Sequence, residues 1–188
     1  VRLSLLAGDR EAAEEYAKPL KAGKISFCGD TPQKMWLAYL EDDYRRGDYK
    51  AAAPTAEALY RKGNNDRSNL DYIGAVLHCW AHTDNDRAVA LAESRLNWRI
   101  GMWDQWLTYL YDKGAWLTFR ELAKRMETVK LELPREFALW REDGEYRSQE
   151  LADWFYAQAS ETAQRFDRRN GSDWFCRDLK LSGKPPKT

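Results

Sequence analysis

Neither sign of charge prevails in this chain. Thirty Lys and Arg face 30 Asp and Glu, for a formal net charge of zero. A nucleic-acid binder draws most of its affinity from neutralised phosphates and shows a basic surplus, so that class is demoted. Cysteine is scarce too. Cys28, Cys79 and Cys176 are odd in number and widely spaced, which argues against a disulfide framework and for a reducing, cytoplasmic setting. Gly and Pro number 11 and 6 in 188 residues, too few for a turn-dense β protein or a low-complexity chain. No apolar run approaches the roughly 20 residues of a membrane span, and no signal segment stands at the start. The opening Val1-Arg2-Leu3-Ser4-Leu5-Leu6-Ala7 reads as the end of a helix, so further residues are expected ahead of it.

What is present is charge on helical faces and an excess of aromatic rings. Charged residues make up 32% of the chain and aromatics 13%, with nine Trp. Trp buries much surface and is enriched at interaction hot spots, so core and interface both draw on it. Apolar residues fall at helical spacing: Ala13, Tyr16, Ala17 and Leu20; Leu70, Ile73, Gly74 and Leu77; Trp103, Trp106, Leu107 and Leu110. Thr31-Pro32 is a helix start, a capping hydroxyl followed by Pro at the first helical position. No run alternates as an amphipathic strand does, and only Ile25-Ser26-Phe27-Cys28 reads as a short extended piece. The fold class expected is all-α.

Turn signals recur at Gly8-Asp9, Gly47-Asp48, Asp84-Asn85-Asp86, Gly114 and Gly144, at separations of helix–turn–helix size. Aligned on these breaks, the preceding helices share apolar positions: Trp36, Tyr39 and Leu40; Ile73, Val76, Leu77 and Trp80; Trp103, Trp106, Leu107 and Leu110; Leu133, Phe137 and Trp140. Asp43 and Glu136 alone depart from the rule. The following helices share small residues with a larger one behind in Ala13, Ala17 and Leu20 and in Ala52, Ala56 and Leu59. Phe119, Ala123 and Met126 keep the spacing with a large first residue, Val89, Glu93 and Leu96 after Asp84 fit less well, and the stretch after Gly144 does not fit without a shift. Small residues let helices approach closely. Stacked antiparallel hairpins over 1–170 follow as one domain. The tail, 171–188, is expected to dock through Ser172-Asp173-Trp174-Phe175 and to end disordered.

The segment Trp36, Gly47, Asp48, Tyr49, Ala52 resembles the tetratricopeptide repeat: Trp in the first helix, Gly at the turn, an aromatic, then a small residue in the second. The second aromatic of that pattern is missing, because Asp43 holds its place. The resemblance implies a short, irregular, TPR-like α-solenoid whose first helices line a concave binding side. Carried onto this chain, the partner-facing residues would be Lys34, Leu37, Glu41 and Tyr44, then Asp71, Gly74, His78 and Ala81, then Gly101, Asp104, Thr108 and Tyr111, and finally Arg141. Glu41, Asp71 and Asp104 would make a mildly acidic groove rimmed by Tyr44 and Tyr111, suited to a basic protein surface.

Catalytic patterns are missing. There is no Gly-x-Ser-x-Gly, no phosphate-binding glycine loop and no dinucleotide fingerprint. His78 and His82 stand four apart on one helix face, the spacing of a metal pair, but no Glu lies between them and no third ligand is in register. Neither metal nor cofactor is expected. The acidic runs Glu41-Asp42-Asp43 and Glu142-Asp143-Gly144-Glu145 read as solvated helix ends. Small size, irregular hairpins and aromatic richness are similar in character to the helical immunity proteins of bacterial polymorphic toxins, which bind a cognate toxin and block it. That likeness implies a non-enzymatic inhibitor. The other reading is a TPR-like adaptor or scaffold segment of a larger repeat protein.

Overall fold

The computed structural model describes residues 1–24, 29 and 31–183. The extended piece expected over 25–28 lies outside the described residues; of the disorder expected over 182–188, residues 184–188 lie outside them too, whereas Ser182 ends the last helix and Gly183 caps it. The described chain is all-α, with helices α1 (Arg2–Leu6), α2 (Arg10–Lys21), α3 (Thr31–Arg46), α4 (Tyr49–Gly63), α5 (Leu70–Thr83), α6 (Asn85–Ile100), α7 (Gln105–Ala123), α8 (Ser148–Asn170) and α9 (Trp174–Ser182). Between α7 and α8 lies one small antiparallel pair, β1 (Thr128–Lys130) and β2 (Glu145–Arg147). Among the described residues no helix is long and apolar enough to cross a membrane.

Three of the five turn signals separate helices as the sequence indicates. Gly47 turns the chain at φ +72°, which a side chain tolerates poorly, and Asp48 caps α4 by accepting the Ala51 N–H at 3.0 Å. Asp9 caps α2 and Asp84 caps α6 in the same way. Behind these caps Ala13 and Ala17, then Ala52, Ala56 and Leu59, are fully buried. The packing order follows: α4 against α3 and α5, α6 against α5 and α7, α8 against α7.

Gly114 overturns the next break. It sits inside α7, which runs unbroken from Gln105 to Ala123. Its role is close approach: a Cβ at Gly114 would lie 2.3 Å from the Gly74 carbonyl oxygen, and one at Gly74 would lie 2.3 Å from that of Leu110. A helix tolerates Gly at about 1 kcal/mol, and the α5–α7 contact uses the space it leaves.

The fourth hairpin is absent. Leu133, Phe137 and Trp140 lie in an irregular loop, because Pro134 drives Leu133 extended and supplies no N–H to a helix. Leu131, Leu133 and Phe137 still reach the core, Phe137 stacking on Phe155 at 5.9 Å. The strands flanking this loop pair Val129 with Tyr146, and each inward residue stands between two exposed ones. Trp140 and Met126 are exposed, not repeat-core residues, and so is Trp103.

Candidate functional site

A cleft of 410 Å³ opens where the end of α3 meets α5, α7 and α9. That size falls within the roughly 300–1,000 Å³ of ligand pockets. Its aromatic walls are Tyr44, Tyr49, His78, Trp106 and Trp174, and its charged groups are Glu41, Arg45, Lys113 and Asp178. The Gly47 turn places Tyr44 and Tyr49 on either side of it, with rings stacked at 5.7 Å. The Tyr44 hydroxyl donates to the Ala75 carbonyl, and its ring lies 4.1 Å from that of His78. Tyr49 Oη and His78 Nε2 are 3.3 Å apart.

These aromatic groups are neutral over the physiological range. Burial drives the His78 imidazolium well below its usual pKa, and the Lys113 charge adds to the effect. Burial likewise holds the Tyr44 phenol well above its ordinary range and moves Tyr49 up to about 12. The Lys113 ammonium meets Asp178 at 2.8 Å, and the Tyr109 hydroxyl donates to the same carboxylate at 3.0 Å. Burial raises the Asp178 pKa, but Lys113 and Tyr109 outweigh it and the net shift is downward. Glu41 shifts the other way. Burial raises it, and Arg2, at 3.7 Å, only partly offsets that.

The wall formed by α9 is fixed at its start by Asp167. This carboxylate accepts the N–H groups of Phe175 and Cys176, both at 2.9 Å, and so caps α9 from the preceding helix. At the far end the Arg120 guanidinium donates to the Gly183 carbonyl at 2.8 Å. Held at both ends, α9 forms a full helix with Leu179 buried.

Three predicted partner-facing residues, Glu41, Tyr44 and His78, converge on the cleft. Lys34, Asp71 and Asp104 form a second group at the first turns of α3, α5 and α7. Burial lifts Asp71 to about 6; the Tyr72 N–H and the Lys34 charge pull it down, and Asp104 pushes it further up. Asp104 also caps α7, accepting the Trp106 N–H at 2.8 Å. Tyr111 is a correction. It is fully buried and its hydroxyl donates to the Ala92 carbonyl, so it faces α6; its position had been counted from a break at Gly114 that the helix does not have. Arg141 is also corrected. It belongs to the loop after β1 and pairs with Glu150 at 2.6 Å, away from the cleft. His78 lines the cleft from beneath, being itself buried.

Asp42 and Asp43 are not a solvated run. Both are buried and meet the Arg10 guanidinium at 2.6 and 2.7 Å, tying α2 to α3. Burial raises the Cys79 thiol to about 12, which leaves it protonated and unreactive. Among the described residues no group of three or more His, Cys, Asp or Glu is placed to hold a metal. No family model, curated protein or solved structure matches the chain. The residues themselves therefore carry the functional argument.

The sequence did not mark Lys113 or Asp178 for this cleft, and it assigned Trp106 to the core; Trp174, expected to dock with the tail, lines the cleft as well. The signal for Trp106 and Trp174 was their aromatic character alone. Lys113 and Asp178 are 65 residues apart and gave none.

Proposed function

We propose that this chain is a non-enzymatic protein-binding module, acting as an immunity protein that binds and neutralises a cognate toxin bearing a basic surface. The observation that carries the reading is Trp103. Its side chain is 87% exposed, and it borders a shallow hollow that it shares with Trp106, Phe166 and Phe175. Trp106 lines the cleft as well, so an exposed anchor and a recessed pocket adjoin on one face. A large apolar ring held in solvent beside further aromatic rings supports a binding anchor, and Trp is among the residues enriched at binding hot spots.

Co-expression with the product of the neighbouring gene tests this. A toxin there should be silenced and should copurify one-to-one with this chain, and Trp103→Ala should weaken the complex by at least about tenfold. A neighbour without toxicity, or toxicity that co-expression leaves intact, would refute the immunity reading. A second reading, an adaptor segment of a larger repeat protein, draws on Leu3, 82% exposed, with Leu6 and Tyr16 exposed near it. A partner footprint on α1 and α2 instead of Trp103 would favour it.

A further inference from the structure

We propose that the cleft receives a tryptophan side chain of the partner, its indole ring entering beside Trp106 and Trp174 and its N–H donating to the Glu41 carboxylate. The inference rests on the protein-binding reading and names the side chain that this face would select.

Charge balance in the cleft calls for an uncharged occupant. Glu41 and Asp178 face Lys113 and Arg45, two charges of each sign. Lys113 meets Asp178 directly, at 2.8 Å. Glu41 is answered over longer distances: burial raises its carboxyl, the charges of Arg2, Lys113 and Arg45 act against that rise, and Asp178 adds to it. A cation or an anion entering the cleft would leave water and meet no unpaired counter-charge, which is costly.

Hydrogen bonding then chooses among neutral groups. The polar atoms of Tyr44, Tyr49 and Ser182 are engaged with the protein itself. The Tyr44 hydroxyl donates to the Ala75 carbonyl, Tyr49 Oη lies 3.3 Å from His78 Nε2, and the Ser182 hydroxyl donates to the Asp178 carbonyl at 2.9 Å. Glu41 differs. Its side chain is only 17% exposed, Arg2 stands 3.7 Å away, beyond hydrogen-bond range, and no other group among the described residues donates to it. A carboxylate drawn this far from water gains from a donor. An aliphatic or phenyl side chain brings none, and a tyrosine hydroxyl brings acceptor lone pairs along with its proton. The indole N–H is a donor only, the complement of a carboxylate that only accepts.

The walls suit that ring. Trp106 and Trp174 line the cleft while only half-buried, so each keeps part of its ring open to an incoming one. Leu110 and Leu181 complete the apolar lining, and Leu181 is exposed. Trp106 also borders the hollow of the exposed Trp103, so the partner's ring would seat next to this chain's own anchor. Hot-spot residues pair with one another across an interface in this way.

Titration of the intact, isotope-labelled chain with acetyl-Gly-Trp-Gly-amide, followed by the indole N–H signals of Trp106 and Trp174, tests the proposal. The benzothienylalanine peptide replaces the ligand's indole N–H with sulfur at nearly the same shape, and the Arg and Glu peptides carry one charge of either sign. The Trp peptide should shift both signals with an affinity on the order of millimolar, at least about tenfold tighter than each of the other three. Glu41→Met, verified as folded by its unshifted core signals, should bring Trp and benzothienylalanine to the same affinity. Should Glu41→Met unfold, Trp174→Ala serves as the second variant and should weaken Trp binding. No Trp binding, equal binding of the benzothienylalanine, Arg or Glu peptides, a Trp preference intact in Glu41→Met, or undiminished Trp binding in Trp174→Ala would overturn it. The parent reading fails separately. Trp peptides that bind while no toxin partner exists keep the pocket and remove the immunity role; a toxin complex insensitive to Glu41→Met does the reverse.

Discussion

Gly74 and Gly114 face each other where α5 crosses α7, close enough that a Cβ on Gly114 would stand 2.3 Å from the Gly74 carbonyl oxygen. That contact sets the spacing of the two helices that supply His78 and Lys113 to the cleft floor. In an exposed helix Gly→Ala would gain up to about 1 kcal/mol. Here the obstacle is backbone, which has no rotamer to yield. Gly114→Ala and Gly74→Ala should each destabilise the chain by about 3 kcal/mol, read by urea unfolding. A stability gain in either would show that the helices separate freely.

A buried ion pair joins α6 to α7. Arg99 donates from Nε and Nη2 to the two oxygens of Asp112, both at 2.9 Å, and its guanidinium lies over the Trp154 ring. Asp112→Ala would strand the Arg99 charge and should cost about 3–5 kcal/mol. The double replacement Arg99→Met, Asp112→Leu should recover most of that loss. If it does not, the cost lies in packing and not in the orphaned charge.

Asp71 makes stability depend on pH with an unusual sign. The unfolded carboxyl ionises near pH 4, roughly its ordinary value, while burial keeps the folded one protonated up to about 6. Between those values the folded state holds the extra proton, so stability falls as pH rises through the window. Asp71→Asn keeps the oxygen that accepts the Tyr72 N–H at 2.9 Å. It should add about 1–2 kcal/mol at pH 7 and nothing at pH 3.5. Paired unfolding curves at the two pH values decide it. An equal gain at both would assign the effect to something other than ionisation.

Asp178 holds α9 against α7. Asp178→Ala would leave Lys113 without its partner and Tyr109 with only the Phe175 carbonyl, 3.4 Å away, as acceptor, at a cost of about 3 kcal/mol. Amide exchange should quicken across α9 while α5 keeps its protection. Unchanged protection in α9 would mean that Leu179 and the Asp167 cap suffice to hold it.

The sequence by itself determined the helices and most of their turns. Helical spacing of apolar residues, with Asp9, Asp48 and Asp84 as caps, located the hairpins through α6, because period and capping are local properties. It also put Glu41 and Tyr44 on one face of α3, since residues three apart share a helix face whatever packs against it, while His78, on another helix, was joined to them only by the resemblance to a repeat. Tertiary structure decided the rest. A glycine reads alike whether it turns a chain or admits a neighbouring helix, and only the α5–α7 contact made Gly114 the second. Trp103 and Trp106 have the same helical spacing as core residues, yet the chain begins α7 after Trp103 and leaves it in solvent. The cleft needed α9 to fold back and set Asp178 beside Lys113, a pairing between distant residues that no local pattern encodes.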